Sequence, residues 1–309
     1  MTSSQVEYIQ QLLDSVYPKL NDPNSGEYYF PAFLQNGNYD PYGPFNMQLE
    51  ITSDEVIKAA SAICGDVQIN DPSVCPKGQM YVGAQKMPPK LELSNVYIHG
   101  LSNAVLQRPI AGGSDGFSIK AHVLFSTLPA SPAGAKLKHP LDLQASLRGN
   151  FRLTQYCCCC DKGSTDCSGS PVPVVGTGTF VATVNQPGSA DGSLQITKLE
   201  QNALTIAATS VTLQVPTSSK TGGPDITVSV TIDNFPDNFP PGEKKAYDTL
   251  ANEAFNDKSA QENVLKQINS LVSAKDVLET FGQVLTNAID GYLKAHHQYP
   301  FNSADASLL

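Results

Sequence analysis

Cysteines are the residues of this chain whose type and spacing come closest to chemistry. Five of the seven lie within eleven residues, as Cys157 to Cys160 followed by Cys167. The run extends a strand pattern, so Cys157 and Cys159 are expected to face one side and Cys158 and Cys160 the other. Alternate strand positions do not supply a tetrahedral metal site without a turn, so Cys157, Cys159, Cys160 and Cys167 are weak candidates for metal ligands.

The sequence leaves three states of these thiols open. An odd number of cysteines, and an amino terminus without a basic segment followed by an apolar run, favour reduced thiols over a disulfide framework. A disulfide between Cys160 and Cys167 would close a short loop, and Cys64 could pair with Cys75 in an oxidising compartment. We expect reduced cysteines, no cofactor, and residence in the cytoplasm or export without a classical signal peptide.

Catalytic patterns are weak in this sequence. The stretch Gly100 to Ala104 reads Gly-Leu-Ser-Asn-Ala, which lacks the last glycine of a nucleophile elbow and precedes no helical pattern. None of the five histidines lies in a His-Glu-x-x-His motif, and we find no glycine-rich phosphate loop. We therefore predict that the chain is not an enzyme.

The composition of the chain limits which kinds of molecule it is expected to bind. The chain has 309 residues, 40% of them hydrophobic, and a formal net charge of -9. Nucleic acids and anionic membranes bind clustered Lys and Arg, so we expect neither as the main partner. The sequence contains no run of apolar residues long enough to span a bilayer, so we predict that it is not an integral membrane protein.

The pattern of apolar residues changes from a helical period to a strand period along the chain. Residues 4–20 carry an apolar stripe and predict a helix, and the rest of 1–90 is interpreted as helices and loops. From residue 91 the period is two, most clearly where the odd-numbered positions from Leu141 to Leu153 are apolar or small. This alternation predicts one continuous antiparallel meander over 91–235, with an irregularity at Ser94-Asn95.

Helical spacing returns in the segment 243–296. An apolar stripe runs through residues 261–295, roughly 50 Å of helix at the standard rise. A stripe of this length must lie on another apolar surface, and the meander needs a cover. We predict an α+β fold in which a long, strongly curved antiparallel meander wraps a long carboxy-terminal helix, with an amino-terminal helix, in a single domain of residues 1–309.

The segment Leu91 to Asn103, with the sequence LELSNVYIHGLSN, resembles the strand and Gly-Leu-Ser stretch of juvenile-hormone-binding and takeout proteins. The order of helix, meander and long helix is similar to that of the tubular lipid-binding superfamily, which includes bactericidal/permeability-increasing and clostridial P47-type proteins. The amino terminus favours the P47-like branch, whereas the cysteine cluster matches no pattern of the group. The resemblance implies non-enzymatic binding of a lipid or another elongated apolar ligand between sheet and helix.

Small residues on facing surfaces indicate where such a ligand would lie. Ala145 and Gly149 on the sheet and Gly282 on the helix either bring backbones together or leave room. We expect a cavity lined by Val211, Leu213, Val228, Val230, Phe281 and Leu285. The alternative is an interaction or scaffold protein, with a protein partner in a toxin-associated or other complex, whose core is filled and holds no ligand.

Overall fold

Helices open the chain. The computed structural model places α1 at Ser3–Leu20, a 3-10 helix at Pro23–Tyr28 and α2 at Phe30–Asn36. The stripe predicted for α1 is buried from Ile9 to Leu20. The structure describes residues 3–36, 40–51, 54, 56–58, 63–65, 68, 72–84, 87–112, 117–125, 145–164, 170–200, 203–220, 222–234 and 244–295.

The strands form two antiparallel sheets. The first sheet has the order β1-β3-β7-β8-β11, and β2 also pairs with β7. The second sheet has the order β10-β9-β6-β4, and β5 also pairs with β6. The described strands are β1 Tyr42–Glu50, β2 Gln79–Gly83, β3 Lys90–His99, β4 Ala104–Leu106, β5 Ile110–Gly112, β6 Ser118–Phe125, β7 Ser146–Asp161, β8 Val172–Val184, β9 Ser189–Glu200, β10 Ala203–Gln214 and β11 Ile226–Asn234.

The antiparallel α+β class is confirmed, but the single continuous meander is wrong. The chain leaves the first sheet after β3 at Gly100, whose φ of 84° is left-handed, and passes through a short 3-10 helix at Leu101–Asn103 into the second sheet. Two strands, β1 and β2, also lie before residue 91, where helices and loops were expected. Alternation reveals which face of a strand is buried but not which strand it pairs with.

The predicted alternation is confirmed in the middle of β7 but not at its ends, where Ser146, Cys158 and Cys160 are buried at positions expected to face outward. In β7, Phe151 and Leu153 are buried, whereas Asn150 and Arg152 are exposed. The first residues of the predicted series, Leu141 to Gln144, lie outside the described residues. The expected irregularity in β3 is present as a register shift between Ser94 and Tyr97, with Asn95 at a φ of 50°.

The carboxy-terminal segment is divided into three helices, α3 Lys244–Asn256, α4 Lys258–Val272 and α5 Lys275–Ala295. The single stripe predicted over 261–295 is therefore broken at Ser273 and Ala274. The Ser273 hydroxyl donates to the carbonyl oxygen of Val211 at 2.8 Å, which anchors the break to β10. Because the helices are separate, α4 and α5 can lie against different parts of the two sheets.

Two hydrophobic cores result from this division. The first lies between the first sheet and the helices α3 and α4, and contains Leu153, Tyr247 and Ile268. The second lies between the second sheet, α1, α2 and α5, and contains Ile206 and Leu293. Only partly buried side chains join the two, among them Leu213 and Phe281, which pack against both cores.

The free edge of the second sheet is covered by the helices. β10 is the last strand of that sheet, and an uncovered edge would offer unpaired backbone groups to other chains. Polar side chains of α4, α5 and the break between them bond these groups instead. The bonds join Asn269 to Leu213, Ser273 to Val211, Thr286 to Ile206, and Asp290 to Leu204.

Candidate functional site: apolar cavities between the two sheets

An apolar cavity lies where the two cores meet. Its volume is about 70 Å³. Its walls come from both sheets and from α2, α4 and α5, so it belongs to neither core alone. The lining residues are Phe30, Leu34, Tyr42, Ile98, Leu101, Ala104, Val123, Phe125, Ala190, Val211, Leu213, Val272, Val277, Thr280, Phe281 and Val284.

A second apolar cavity of about 70 Å³ adjoins the first. Its additional walls come from the start of β7, the end of β8 and the apolar face of α4, including Leu147, Ala182 and Ile268. Four residues line both cavities. They are Ile98 of β3, Leu101 of the 3-10 helix, Phe125 of β6 and Leu213 of β10.

The lining of the first cavity can offer burial but almost no hydrogen bonding. Two of its lining residues, Tyr42 and Thr280, carry a hydroxyl, and that of Thr280 already donates to the carbonyl oxygen of Asp276 at 2.8 Å. In the second cavity, Ser146 is 4% exposed, and its hydroxyl has no hydrogen-bond partner among the described residues. Such walls bind apolar surface through the hydrophobic effect and dispersion, which are not directional.

β10, which contributes Leu213 to both cavities, is bonded to α4. The side chain of Asn269 accepts from the N–H of Leu213 at 2.6 Å and donates to its carbonyl oxygen at 3.1 Å. In the break after α4, the Ser273 hydroxyl donates one further bond to the carbonyl oxygen of Val211. The wall formed by Val211 and Leu213 is therefore fixed through its backbone, while the Leu213 side chain stays only half-buried.

The turn that carries Leu101 is fixed by Asp40. Its carboxylate accepts from the N–H of Gly100 at 3.0 Å, from the N–H of Ser102 at 2.7 Å and from the Ser102 hydroxyl at 2.5 Å. The Gly-Leu-Ser stretch thus places an apolar side chain against both cavities. The Ser102 hydroxyl is used in this turn, which agrees with its weak match to a nucleophile elbow.

The six residues predicted to line a cavity are not brought together. Val211, Leu213 and Phe281 line the first cavity, whereas Leu285 lines a separate space of about 20 Å³ beneath α1. Val228 is buried in the first core and Val230 packs against it, on β11. As a ligand-binding set these residues remain a prediction. Sequence reasoning missed Ile98, Leu101 and Phe125, although Ile98 and Leu101 lie in the very segment that carries the family resemblance.

The cysteine expectations are corrected by the structure. Cys64 is bonded to Cys157, and Cys75 is bonded to Cys159. Cys158 is also in a disulfide, and Cys160 keeps a buried thiol. The prediction of reduced thiols is therefore wrong for the bonded cysteines, though not for Cys160, and the predicted bonds from Cys160 to Cys167 and from Cys64 to Cys75 are wrong.

The same bonds remove two of the four candidate metal ligands, while Cys160 keeps its thiol. Cys157 and Cys159 have no thiolate to offer, and Cys167 lies outside the described residues. Among the residues that the structure describes, no group of three or more His, Cys, Asp or Glu could hold a metal ion. None of the described helices is both long and apolar enough to cross a membrane.

Comparisons with known proteins find similarity only among solved structures. No protein-family model matches the sequence, and no curated protein matches it. The chain is similar to Takeout 1 of Epiphyas postvittana, with a TM-score of 0.32 and 9% identity over 74% of this chain and 90% of that one. It is also similar to a lipopolysaccharide binding protein, with a TM-score of 0.24 and 12% identity over 78% of this chain and 43% of that one.

The names of both neighbours fall within the group of proteins that the sequence resembles, and the resemblance itself stays a prediction. The antiparallel strands and the helices at both ends of the chain agree with it. At these TM-scores, neither similarity bears on what this chain binds.

Proposed function

We propose that this protein binds an elongated apolar molecule, such as a lipid chain, without transforming it. One observation carries the proposal: two apolar cavities adjoin between the sheets and share Ile98, Leu101, Phe125 and Leu213 as walls. Two such spaces in a row suit a long, narrow ligand better than a compact one. The second cavity also contains a buried hydroxyl, that of Ser146, which a polar end of such a ligand could reach.

The size of the cavities sets the conditions for binding. Each holds about 70 Å³, room for about five water-sized spheres. A long acyl chain needs both cavities and the space between them, so Phe125 and Leu213 must rotate aside. Each buried methylene then gains ~0.8 kcal/mol. Association and rearrangement offset part of that gain, so we expect micromolar rather than nanomolar affinity.

The small volumes also favour a second candidate function. If the space between the cavities never opens, the core is effectively filled, and the chain acts as an interaction protein without a ligand. The two functions respond differently to added volume. A leucine placed in a cavity that opens should occupy the ligand space at little cost, whereas in a closed, well-packed core it costs about 1–3 kcal/mol.

The disulfides bear on the proposed compartment. Bonds such as Cys64–Cys157 persist where the surroundings are oxidising and are rare in the cytoplasm. Of the two locations expected from the sequence, we therefore favour export to an oxidising compartment. Assignment to the P47-like branch remains a prediction.

Displacement of a fluorescent fatty acid tests the proposal. Wild-type protein should bind the probe at micromolar concentration, and Ala190→Leu in the first cavity and Ala182→Leu in the second should each weaken binding about tenfold or more. Ala295→Leu adds the same atoms at an exposed position of α5 and should bind as wild type. No binding by the wild type, with both cavity variants destabilised, would favour the filled core instead.

A further inference from the structure

A polar groove crosses the outer face of the first sheet. It is a broad depression of about 720 Å³ that is largely open to solvent rather than an enclosed pocket. It lies on the face opposite to the core, because its neighbours Met47, Leu93 and Phe151 are buried on the inner face. The groove-facing side chains come from five adjacent strands and include Asn46, Gln48, Asn150, Arg152, Thr177 and Asn234.

The strand register arranges these side chains in a row. Gln48 lies opposite Glu92, Glu92 opposite Arg152, Arg152 opposite Thr177, and Thr177 opposite Asn234. Residues paired in this way project from the same face of a sheet. At the usual spacing between strands the row is roughly 19 Å long, which suits an extended ligand.

The groove contains residues that strands ordinarily avoid. Asn is depleted in strands, yet Asn46, Asn150 and Asn234 face the groove from three different strands. A fourth, Asn95, occupies the bulge of β3 at a φ of 50°, and its N–H donates to the side-chain oxygen of Asn46 at 3.2 Å. The three Asn side chains of the lining therefore give this face amide groups that strands ordinarily lack.

The charged residues of the groove indicate that its ligand is not an anion. Glu92 and Asp233 are acidic, and the one basic side chain of the lining, Arg152, lies 3.7 Å from the Glu92 carboxylate. A phosphate or sulfate would meet no unopposed positive charge there. The amides and hydroxyls of the row both donate and accept hydrogen bonds, as a sugar hydroxyl does. We propose that this groove binds a neutral, hydroxyl-rich ligand of the oligosaccharide class, independently of the apolar cavities.

Among the described side chains that face the groove, none is aromatic, so hydrogen bonds to the amides carry the recognition. Each lost hydrogen bond should weaken binding about two- to tenfold. The double variant Asn46→Ala with Asn150→Ala should therefore lose about tenfold or more. Both positions are exposed, so the variant should fold. Gln195→Ala, an exposed amide on β9 of the other sheet, is the matched control and should bind as wild type.

The test is calorimetric titration with neutral malto-, cello- and manno-oligosaccharides and with a sulfated heparin tetrasaccharide. We expect at least one neutral probe to bind at micromolar to millimolar concentration, with the loss in the groove variant just described. The proposal is overturned if no neutral probe binds in the millimolar range, if only the sulfated probe binds, or if the groove variant and the control bind equally.

Discussion

Thr286 of α5 and Ile206 of β10 are joined by two hydrogen bonds. The Thr286 hydroxyl accepts from the N–H of Ile206 at 2.8 Å and donates to the carbonyl oxygen of the same residue at 3.2 Å. A helix side chain thus takes the place of a neighbouring strand at the edge of the second sheet. The same helix carries Phe281 and Val284 against the first cavity, so the edge bonds also position that wall.

Replacing Thr286 by valine keeps the shape of the side chain and removes its hydrogen bonds. Because the N–H and carbonyl of Ile206 then lose their partner at a buried position, we expect Thr286→Val to lower the free energy of unfolding by about 1–3 kcal/mol. Urea unfolding measures it. The control is Thr205→Val at an exposed position of the same strand, and equal effects of the two variants would contradict the proposed role of Thr286.

Gly282 allows α5 to approach β10 closely. A Cβ added there would lie 2.8 Å from the carbonyl oxygen of Ile206 and 3.0 Å from the amide nitrogen of Ala208. Alanine normally favours a helix over glycine, but here the helix must move outward, so we expect Gly282→Ala to destabilise by about 1–3 kcal/mol. Gly112→Ala meets nothing within 4 Å and should change thermal stability little. A Gly282→Ala variant as stable as wild type would show that the approach is not required.

Tyr247 should make the stability of the protein depend on pH in the alkaline range. Its hydroxyl donates to the carbonyl oxygen of Leu153 at 2.8 Å, and burial raises the pKa of Tyr247 well above its usual range. In the unfolded chain the phenol ionises near pH 10, so stability from this group is present below that pH and is lost as the pH rises further. Tyr247→Phe should be less stable at neutral pH by about 1 kcal/mol and should lose stability less steeply above pH ~10.

The measurement is urea unfolding of both proteins across the alkaline range. Tyr29 and Tyr81, whose pKa values burial also raises, are present in both proteins and serve as the common background. Parallel curves of stability against pH would contradict the role of Tyr247.

The disulfides predict a specific peptide map. Digestion without reduction should recover Cys64 joined to Cys157 and Cys75 joined to Cys159. The first bond links residues 93 apart in sequence, and removing it with the pair Cys64→Ala and Cys157→Ala should cost about 2–5 kcal/mol. Alkylation of all seven cysteines in protein denatured without a reductant would contradict this connectivity.

The sequence predicts individual strands and helices better than it predicts which strands pair with each other. The burial of Phe151 and Leu153 in β7, the bulge at Asn95 and the stripe of α1 follow from the spacing of apolar residues, because burial of one face imposes a local period. The division into two sheets depends on which strands pair across long intervals of sequence. No local pattern encodes that choice. The chain passes to the second sheet at the left-handed residue Gly100, and nothing in the sequence distinguishes this glycine from the others.

Part of the cavity lining and the disulfides were missed for a related reason. The alternation of apolar residues predicted that Leu213 faces a cavity. Phe125 and Leu101 line the same cavity only because the folded chain brings β6 and the 3-10 helix next to it. Likewise, Cys157 meets Cys64 only after β7 is in place. Contacts of this kind come from tertiary packing and cannot be derived from spacing along the chain.

The most direct test of the proposed function is a crystal structure of the protein grown with a saturated long-chain fatty acid. The proposal predicts continuous density for the acyl chain through both cavities, with the side chains of Phe125 and Leu213 rotated away from their positions between them. Both cavities closed and empty of ligand in the presence of excess fatty acid, or density for the chain only on the outer surface, would contradict it.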